Sequence, residues 1–134
     1  MKIYDFRIEY KEQPKGLAVK IPRFSWKIAS DVNNVVQTSW HLTVWSKGKL
    51  FWDSKEIESD QSVLVPYNGQ ELVGEQEYQA SLVIKDNYGN SAKAETSFTT
   101  GIFDTENFQA KMITHDFSTG ETACPIFSRT FFLN

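Results

Sequence analysis

The chain of 134 residues is long enough for one hydrophobic core and a fragment of a second. Its 40% apolar and 23% charged residues exclude general disorder, and a net charge of −3 without a clustered basic face argues against nucleic acid as a partner. No apolar run approaches the roughly 20 residues of a membrane span, so we expect no membrane partner. The N-terminus carries a charge before any apolar stretch, and the single Cys124 cannot form an internal disulfide, so we expect a cytoplasmic location.

Alternation of apolar and polar residues predicts β-strands, and no stretch sustains a helical period. The first strand places Tyr4, Phe6, Ile8 and Tyr10 on one face, and a proline and a glycine soon end it. A turn at 47–49 separates the third strand from a short apolar strand. The second and third strands turn these residues inward: Phe24, Trp26, Ile28, Trp40, Leu42 and Val44.

A polar segment at 53–62, rich in carboxylates and hydroxyls, is interpreted as a connector between strands. Val63 and Val65 begin a further short strand, which Pro66 ends because proline cannot donate to a ladder. The last two strands form a hairpin around 86–90, which has the glycine and Asx content of a tight turn. Their inward residues are Tyr78, Ala80, Leu82, Ile84, Ala92, Ala94, Thr96 and Phe98.

About seven short strands with frequent turns are typical of an all-β, immunoglobulin-like antiparallel β-sandwich. Leu72, six residues before Tyr78, resembles the tyrosine corner of such folds, and we expect Trp26 at the centre of the core. The lack of a cysteine pair and the position of this tryptophan favour a fibronectin type III-like sandwich over residues 1–101.

Residues 102–134 have a different character and are interpreted as a linker followed by an extra C-terminal strand at 126–133. A strand this apolar needs a sheet to join, so we interpret it as the first strand of a truncated second β-sandwich domain. It is expected either to fold back onto a sheet edge or to pair with a second copy of the chain. The sequence leaves open which of these occurs, and a homodimer is one of the two outcomes.

No catalytic, cofactor-binding or metal site is predicted. The polar connector contains four acids: Asp53, Glu56, Glu58 and Asp60. Hydrolysis by paired carboxylates needs two acids across a cleft with different pKa values, so acids in one solvated connector are interpreted as loop and capping residues. Their spacing also departs from a calcium loop. His41 and His115 are too isolated for zinc, and a nucleophilic pair of Cys124 with His115 lacks an orienting acid.

Trp45 is the one candidate contact residue, because it falls on the polar face of its strand beside His41 and Thr43. An exposed indole can stack on a pyranose ring, which would make Trp45 part of a carbohydrate site. The alternative, which the sequence favours, is that Trp45 packs against a neighbouring domain or against the second segment of this chain. Trp52 is expected to anchor the core or an edge, and Tyr88 to lie at a hairpin tip.

Several phrases in order resemble the N-terminal region of bacterial α-L-rhamnosidases, the family 78 glycoside hydrolases. They are PRFSW at 22–26, QTSW at 37–40, WDS at 52–54, ESDQS at 58–62, VPY at 65–67, FTTG at 98–101, FQAKMI at 108–113 and SRTF at 128–131. The chain departs from the family's usual residues at Ala80, Ser81 and Met112. The resemblance covers nearly the whole chain.

The resemblance implies an accessory domain at the front of a rhamnosidase. In that family terminal α-linked rhamnose is hydrolysed with inversion in a helical barrel far downstream, so no catalytic role is transferred to any residue here. The implied partners are the remaining domains of the parent enzyme. Two alternatives stay open: a carbohydrate-binding module that uses Trp45, and an adhesion or interaction domain unrelated to hydrolysis.

Overall fold

A computed structural model describes residues 1–104, 106, 108–111, 113 and 126–132. Seven antiparallel strands form two sheets that pack face to face. The strands are β1 (Lys2–Ile8), β2 (Arg23–Ala29), β3 (Gln37–Ser46), β4 (Lys49–Glu58), β5 (Val65–Pro66), β6 (Glu77–Asp86) and β7 (Ser91–Thr99). Within the described ranges no helix is long and apolar enough to cross a membrane.

The sheet orders are β1-β2-β5 and β4-β3-β6-β7. In constant-type immunoglobulin domains the fourth strand belongs to the same sheet as the first two strands and pairs with the fifth. Here β4 pairs with β3, so the larger sheet has four strands. The predicted all-β, immunoglobulin-like sandwich of seven strands is therefore confirmed.

The core follows from the alternation of the long strands. Phe24 and Trp26 from β2 are both buried, and Trp26 meets Trp40 from β3 edge to face at 6.1 Å between ring centroids. Tyr78 from β6 stacks on Phe98 from β7 at 5.3 Å. Aromatic pairs in these geometries contribute more than their buried area alone. The expected central position of Trp26 is confirmed.

The tyrosine corner is also present. The Tyr78 hydroxyl accepts a hydrogen bond from the Val73 N–H at 2.8 Å, five residues upstream, and Leu72 beside it is buried. This bond fixes the chain where it enters β6. The predicted turn at the β3–β4 hairpin is confirmed as well, with Lys47 and Gly48 both at positive φ, as a tight two-residue hairpin requires.

The polar segment after Trp52 differs from the prediction. It was expected to be a connector throughout, but β4 continues to Glu58, so that only residues 59–64 cross between the sheets. A β-bulge allows this continuation, because Ser54 and Lys55 together lie opposite Leu42. The Ser54 hydroxyl accepts the Leu42 N–H at 2.8 Å and replaces a backbone acceptor.

Two further expectations differ at the ends of the chain. Tyr4 and Tyr10 are exposed, unlike Phe6 and Ile8, because a register shift follows Tyr4 in β1 and Tyr10 lies beyond its end. The predicted C-terminal strand is not found in the described residues 126–132, which have no strand pairing and are exposed. A strand exists only with a hydrogen-bonded neighbour. The division into 1–101 and 102–134 stays a prediction.

Candidate functional site

The outer face of the four-stranded sheet brings polar side chains into rows that run across the strands. Strand register places Trp45 of β3 beside Gln79 of β6, and Gln79 beside Ser97 of β7. The next row consists of Thr43, Ser81 and Glu95. Side chains opposite each other on one face of a sheet lie close enough to contact, so these six residues form one continuous surface.

This surface is an open depression of about 630 Å³. Its floor is made by the hydroxyl and amide side chains of the two rows, and Lys93, Glu95 and Gln13 contribute to its edge. The Lys93 ammonium and the Glu95 carboxylate form an exposed ion pair at 2.6 Å. The charges around the depression therefore neutralise each other.

Trp45 forms a wall of the depression. A second open depression of about 420 Å³ lies against the same side chain, between β6 and the Lys47–Gly48 turn. The Trp45 side chain therefore stands between the two. It is 39% exposed, whereas Trp26 and Trp40 are buried and Trp52 is half-buried with its ring edge to face against Tyr67 at 5.0 Å.

Next to this surface a network of charges fixes the bulge of β4. Asp53 Oδ1 lies 2.7 Å from His41 Nε2, and Asp53 Oδ2 accepts from the Lys55 ammonium at 2.7 Å. Asp53 also accepts the Lys55 backbone N–H at 2.9 Å. The Lys55 ammonium, then its backbone N–H and the imidazole of His41 hold the pKa of Asp53 well below its usual range.

A second network lies one row further along the sheet. Glu56 bonds the Lys85 ammonium at 2.7 Å and accepts the Ser39 hydroxyl at 2.8 Å. The Lys85 ammonium first and the Ser39 hydroxyl second lower the pKa of Glu56. Asp53 and Glu56 are thus stabilised as carboxylates, which makes neither suited to donate a proton as a general acid.

Among the described residues no group of three or more histidine, cysteine, aspartate or glutamate side chains could hold a metal ion. His41, which the sequence treated as isolated, is bonded to Asp53. His115 and Cys124 lie outside the described residues, and nothing follows for that pair.

The burial that defines the core also raises the pKa of the Tyr67 phenol, to about 12, so it remains protonated near neutral pH.

The structure therefore places Trp45 on an exposed polar face, as the strand pattern predicted, and Tyr88 at the exposed β6–β7 turn. It brings Trp45 and its strand neighbour Thr43 together with residues that the sequence did not single out: Gln79, Ser81, Ser97 and Glu95. The signal for them was the alternation of β6 and β7, which assigned them outward, but only the pairing register shows which of them face Trp45.

Comparison with known proteins gives a consistent result. Residues 3–104 match the protein family described as Rha78A-like, N-terminal immunoglobulin domain. An α-L-rhamnosidase of Streptomyces avermitilis is 33% identical over 113 residues, covering 79% of this chain and 11% of that protein. An α-L-rhamnosidase of Formosa agariphila is 30% identical over 114 residues, covering 78% of this chain and 12% of that protein.

The fold is shared as well. The crystal structure of the Streptomyces avermitilis α-L-rhamnosidase complexed with L-rhamnose aligns with a TM-score of 0.77 and 31% identity, over 82% of this chain and 11% of that one. The chain thus spans only about 11–12% of the length of the curated relatives it matches.

Proposed function

Because the chain belongs to the Rha78A-like N-terminal immunoglobulin domains, we propose that it is a non-catalytic accessory domain of a longer α-L-rhamnosidase. In this proposal the domain packs against a neighbouring domain of the parent enzyme and fixes the position of that neighbouring domain. The observation that carries the proposal is the extent of the similarity. About four fifths of this chain matches about a ninth of each rhamnosidase, so most of each relative has no counterpart here.

The state of the acids supports the absence of a catalytic role. Inverting glycoside hydrolysis requires one carboxylic acid with a raised pKa and one carboxylate, on opposite sides of the sugar. Asp53 and Glu56 both have lowered pKa values because each is bound by a lysine ammonium. Neither can supply the protonated partner at neutral pH.

The exit of the chain from the sandwich supports a fixed orientation toward a following domain. The Gly101 N–H donates to the Leu17 carbonyl at 2.9 Å, and the Gly101 carbonyl accepts the Glu75 N–H at 3.0 Å. A Cβ at Gly101 would lie 3.1 Å from the Gly16 carbonyl oxygen, so this approach favours glycine. The segment after β7 is thereby held between two loops.

Exposed aliphatic side chains lie on the two loops that hold this exit and on the exit segment itself. They are Val19, Ile21, Val73 and Ile102. The first two flank Lys20, whose carbonyl accepts the Leu72 N–H at 3.0 Å, so that the two loops are joined. Apolar residues grouped beside the exit of a chain fit a contact with the domain that follows it.

A rhamnosidase assay tests the proposal directly. We expect no release of p-nitrophenol from p-nitrophenyl α-L-rhamnoside by the purified chain, with the full-length Streptomyces avermitilis enzyme as the positive control. Release of p-nitrophenol by the purified chain that is reproduced with an independent preparation would contradict a non-catalytic role. A complementary test is deletion of the matching domain from that enzyme, which should lower its thermal stability.

A further inference from the structure

We propose that the depression beside Trp45 is a binding site for a neutral saccharide. The proposal does not depend on the accessory role. It rests on the outer face of the sheet β4-β3-β6-β7, at the two rows in which Trp45 lies beside Gln79 and Ser97, and Thr43 beside Ser81 and Glu95.

The indole of Trp45 provides the apolar part of the site. It is the most exposed of the tryptophans and lies between the two depressions. An aromatic face carries negative charge density in its π-system and attracts the partly positive C–H groups of a pyranose ring. Exposure of a large aromatic side chain to water is unfavourable, so an occupant that covers it gains from burying that area.

The neighbouring side chains provide the polar part. Thr43, Ser81 and Ser97 present hydroxyls, and Gln79 presents an amide, so the floor offers both donors and acceptors. None of these four side chains makes a hydrogen bond to another side chain within the described part of the chain. Their hydrogen-bonding capacity is therefore free for a ligand that is rich in hydroxyls.

Charge and size narrow the class of ligand. The ion pair of Lys93 with Glu95 leaves no net charge at the edge, which favours a neutral ligand over an anion or a cation. A volume of about 630 Å³ lies within the range of small-molecule sites, and the shallow open shape fits one or two sugar rings that lie on a surface. The choice of rhamnose as first probe rests on the proposed function.

The test is a titration of the isotope-labelled chain with L-rhamnose, methyl α-L-rhamnoside and D-glucose, followed by amide and indole NMR shifts. We expect saturable shifts for at least one sugar at the Trp45 indole and at Thr43, Gln79, Ser81 and Ser97, with a dissociation constant on the order of 1 mM. Trp45→Ala should weaken binding at least tenfold. Tyr88→Ala, which removes an exposed aromatic ring at the β6–β7 turn, should leave binding unchanged.

A second variant separates binding from folding. Gln79→Ala changes one exposed side chain on the floor and should weaken the same sugar severalfold while the remaining amide spectrum stays that of the folded chain. Absence of saturable shifts up to about 100 mM of every sugar would overturn the proposal. So would equal shifts in the wild-type and Trp45→Ala chains. Either result would leave the accessory role untouched, because that role is tested by the rhamnosidase assay.

Discussion

Two buried tyrosines in this domain differ in what their hydroxyls contact, and this difference gives a test at the scale of single residues. The Tyr78 hydroxyl accepts the Val73 N–H at 2.8 Å, whereas the Tyr67 hydroxyl is buried without a hydrogen-bond partner in the described part of the chain. Removing a hydroxyl that accepts a hydrogen bond from a partly buried N–H costs free energy, whereas removing a buried hydroxyl without a partner does not.

Tyr78→Phe should therefore lower the free energy of unfolding by about 1–2 kcal/mol, since the Val73 N–H loses its acceptor. Tyr67→Phe is the matched control and should be neutral or stabilising. Urea unfolding of both variants, followed by tryptophan fluorescence, measures the two changes. Equal losses would show that the corner bond does not stabilise the fold.

A second residue-scale prediction concerns Gln37, which is buried at the start of β3. Its carbonyl oxygen accepts the Trp26 indole N–H at 2.8 Å, and its amide donates to the backbone carbonyls of Ser59 and Gln61 at 3.0 and 3.1 Å. Gln37→Leu leaves all three groups without this partner, so we expect a loss of about 3 kcal/mol in unfolding free energy. Gln79→Leu, on the exposed face, should change it by less than about 0.5 kcal/mol.

At the scale of elements, the strands that could be predicted are those whose inward face alternates cleanly. β3 and β6 bury every second residue over most of their length, and β7 alternates more exposed residues with more buried ones, so the local pattern alone indicates both the strand and its core face. The second half of β4 has no such pattern, because it lies at the edge of the sheet and its residues are polar except for Ile57. Its strand conformation depends on pairing with β3, which a local pattern does not reveal.

The candidate site around Trp45 could likewise be predicted only where it depends on the pattern within a single strand. The outward position of Trp45 follows from the alternation of β3, whereas its neighbours Gln79 and Ser97 depend on the register between β3, β6 and β7. Register is set by contacts between strands and not by the sequence of one strand. The bond between His41 and Asp53 was missed for the same reason, since these residues lie twelve positions apart on paired strands.

The bulge of β4 gives a prediction for pH dependence. The Lys55 ammonium, then its backbone N–H and His41 lower the pKa of Asp53 in the folded chain, so folding gains stability from the ionised carboxylate. This contribution is fully present above the ordinary aspartate pKa near 3.9 and is lost as the pH falls from there toward the lower pKa of the folded chain. Asp53→Asn should therefore destabilise the chain at pH 7, and the difference from wild type should shrink at pH 3.

Urea midpoints of the wild type and Asp53→Asn at the two pH values check this expectation. Glu58→Gln is the control on the same strand, because Glu58 is exposed and makes no ion pair within the described ranges. It should show little difference from wild type at pH 7. A difference for Asp53→Asn that stays constant down to pH 3 would mean that the carboxylate charge does not stabilise the bulge.

At the scale of the whole molecule, the question is which part of the chain makes up the folding unit. All buried core residues lie between Phe6 and Phe98, and Phe103 packs partly buried against them. The described residues 106, 108–111, 113 and 126–132 are exposed. The apolar side chains of the C-terminal segment 126–132 are exposed as well, and the highest exposed fractions are those of Ile126 at 92% and Phe132 at 91%.

The predicted homodimer through the C-terminal segment can be tested by removing that segment. Exposed apolar side chains and a segment without strand pairing favour association between copies at high concentration. We expect sedimentation equilibrium to show a dimer for the full chain and a monomer for a chain that ends after Asp104. A monomer in both cases would contradict pairing between chains.

Truncation also locates the C-terminal boundary of the fold. A chain that ends after Asp104 keeps the bonds of Thr100 to Val73 and Gln76 and those of Gly101 to Leu17 and Glu75. At protein concentrations low enough for both chains to be monomeric, its unfolding free energy should therefore equal that of the full chain. A chain that ends after Thr99 loses these bonds and the packing of Phe103, which should cost about 4 kcal/mol. That is a large part of the stability of a small domain, so its unfolding should become broad or be complete at low urea. Equal urea midpoints for the two truncated chains would show that the exit segment does not belong to the fold.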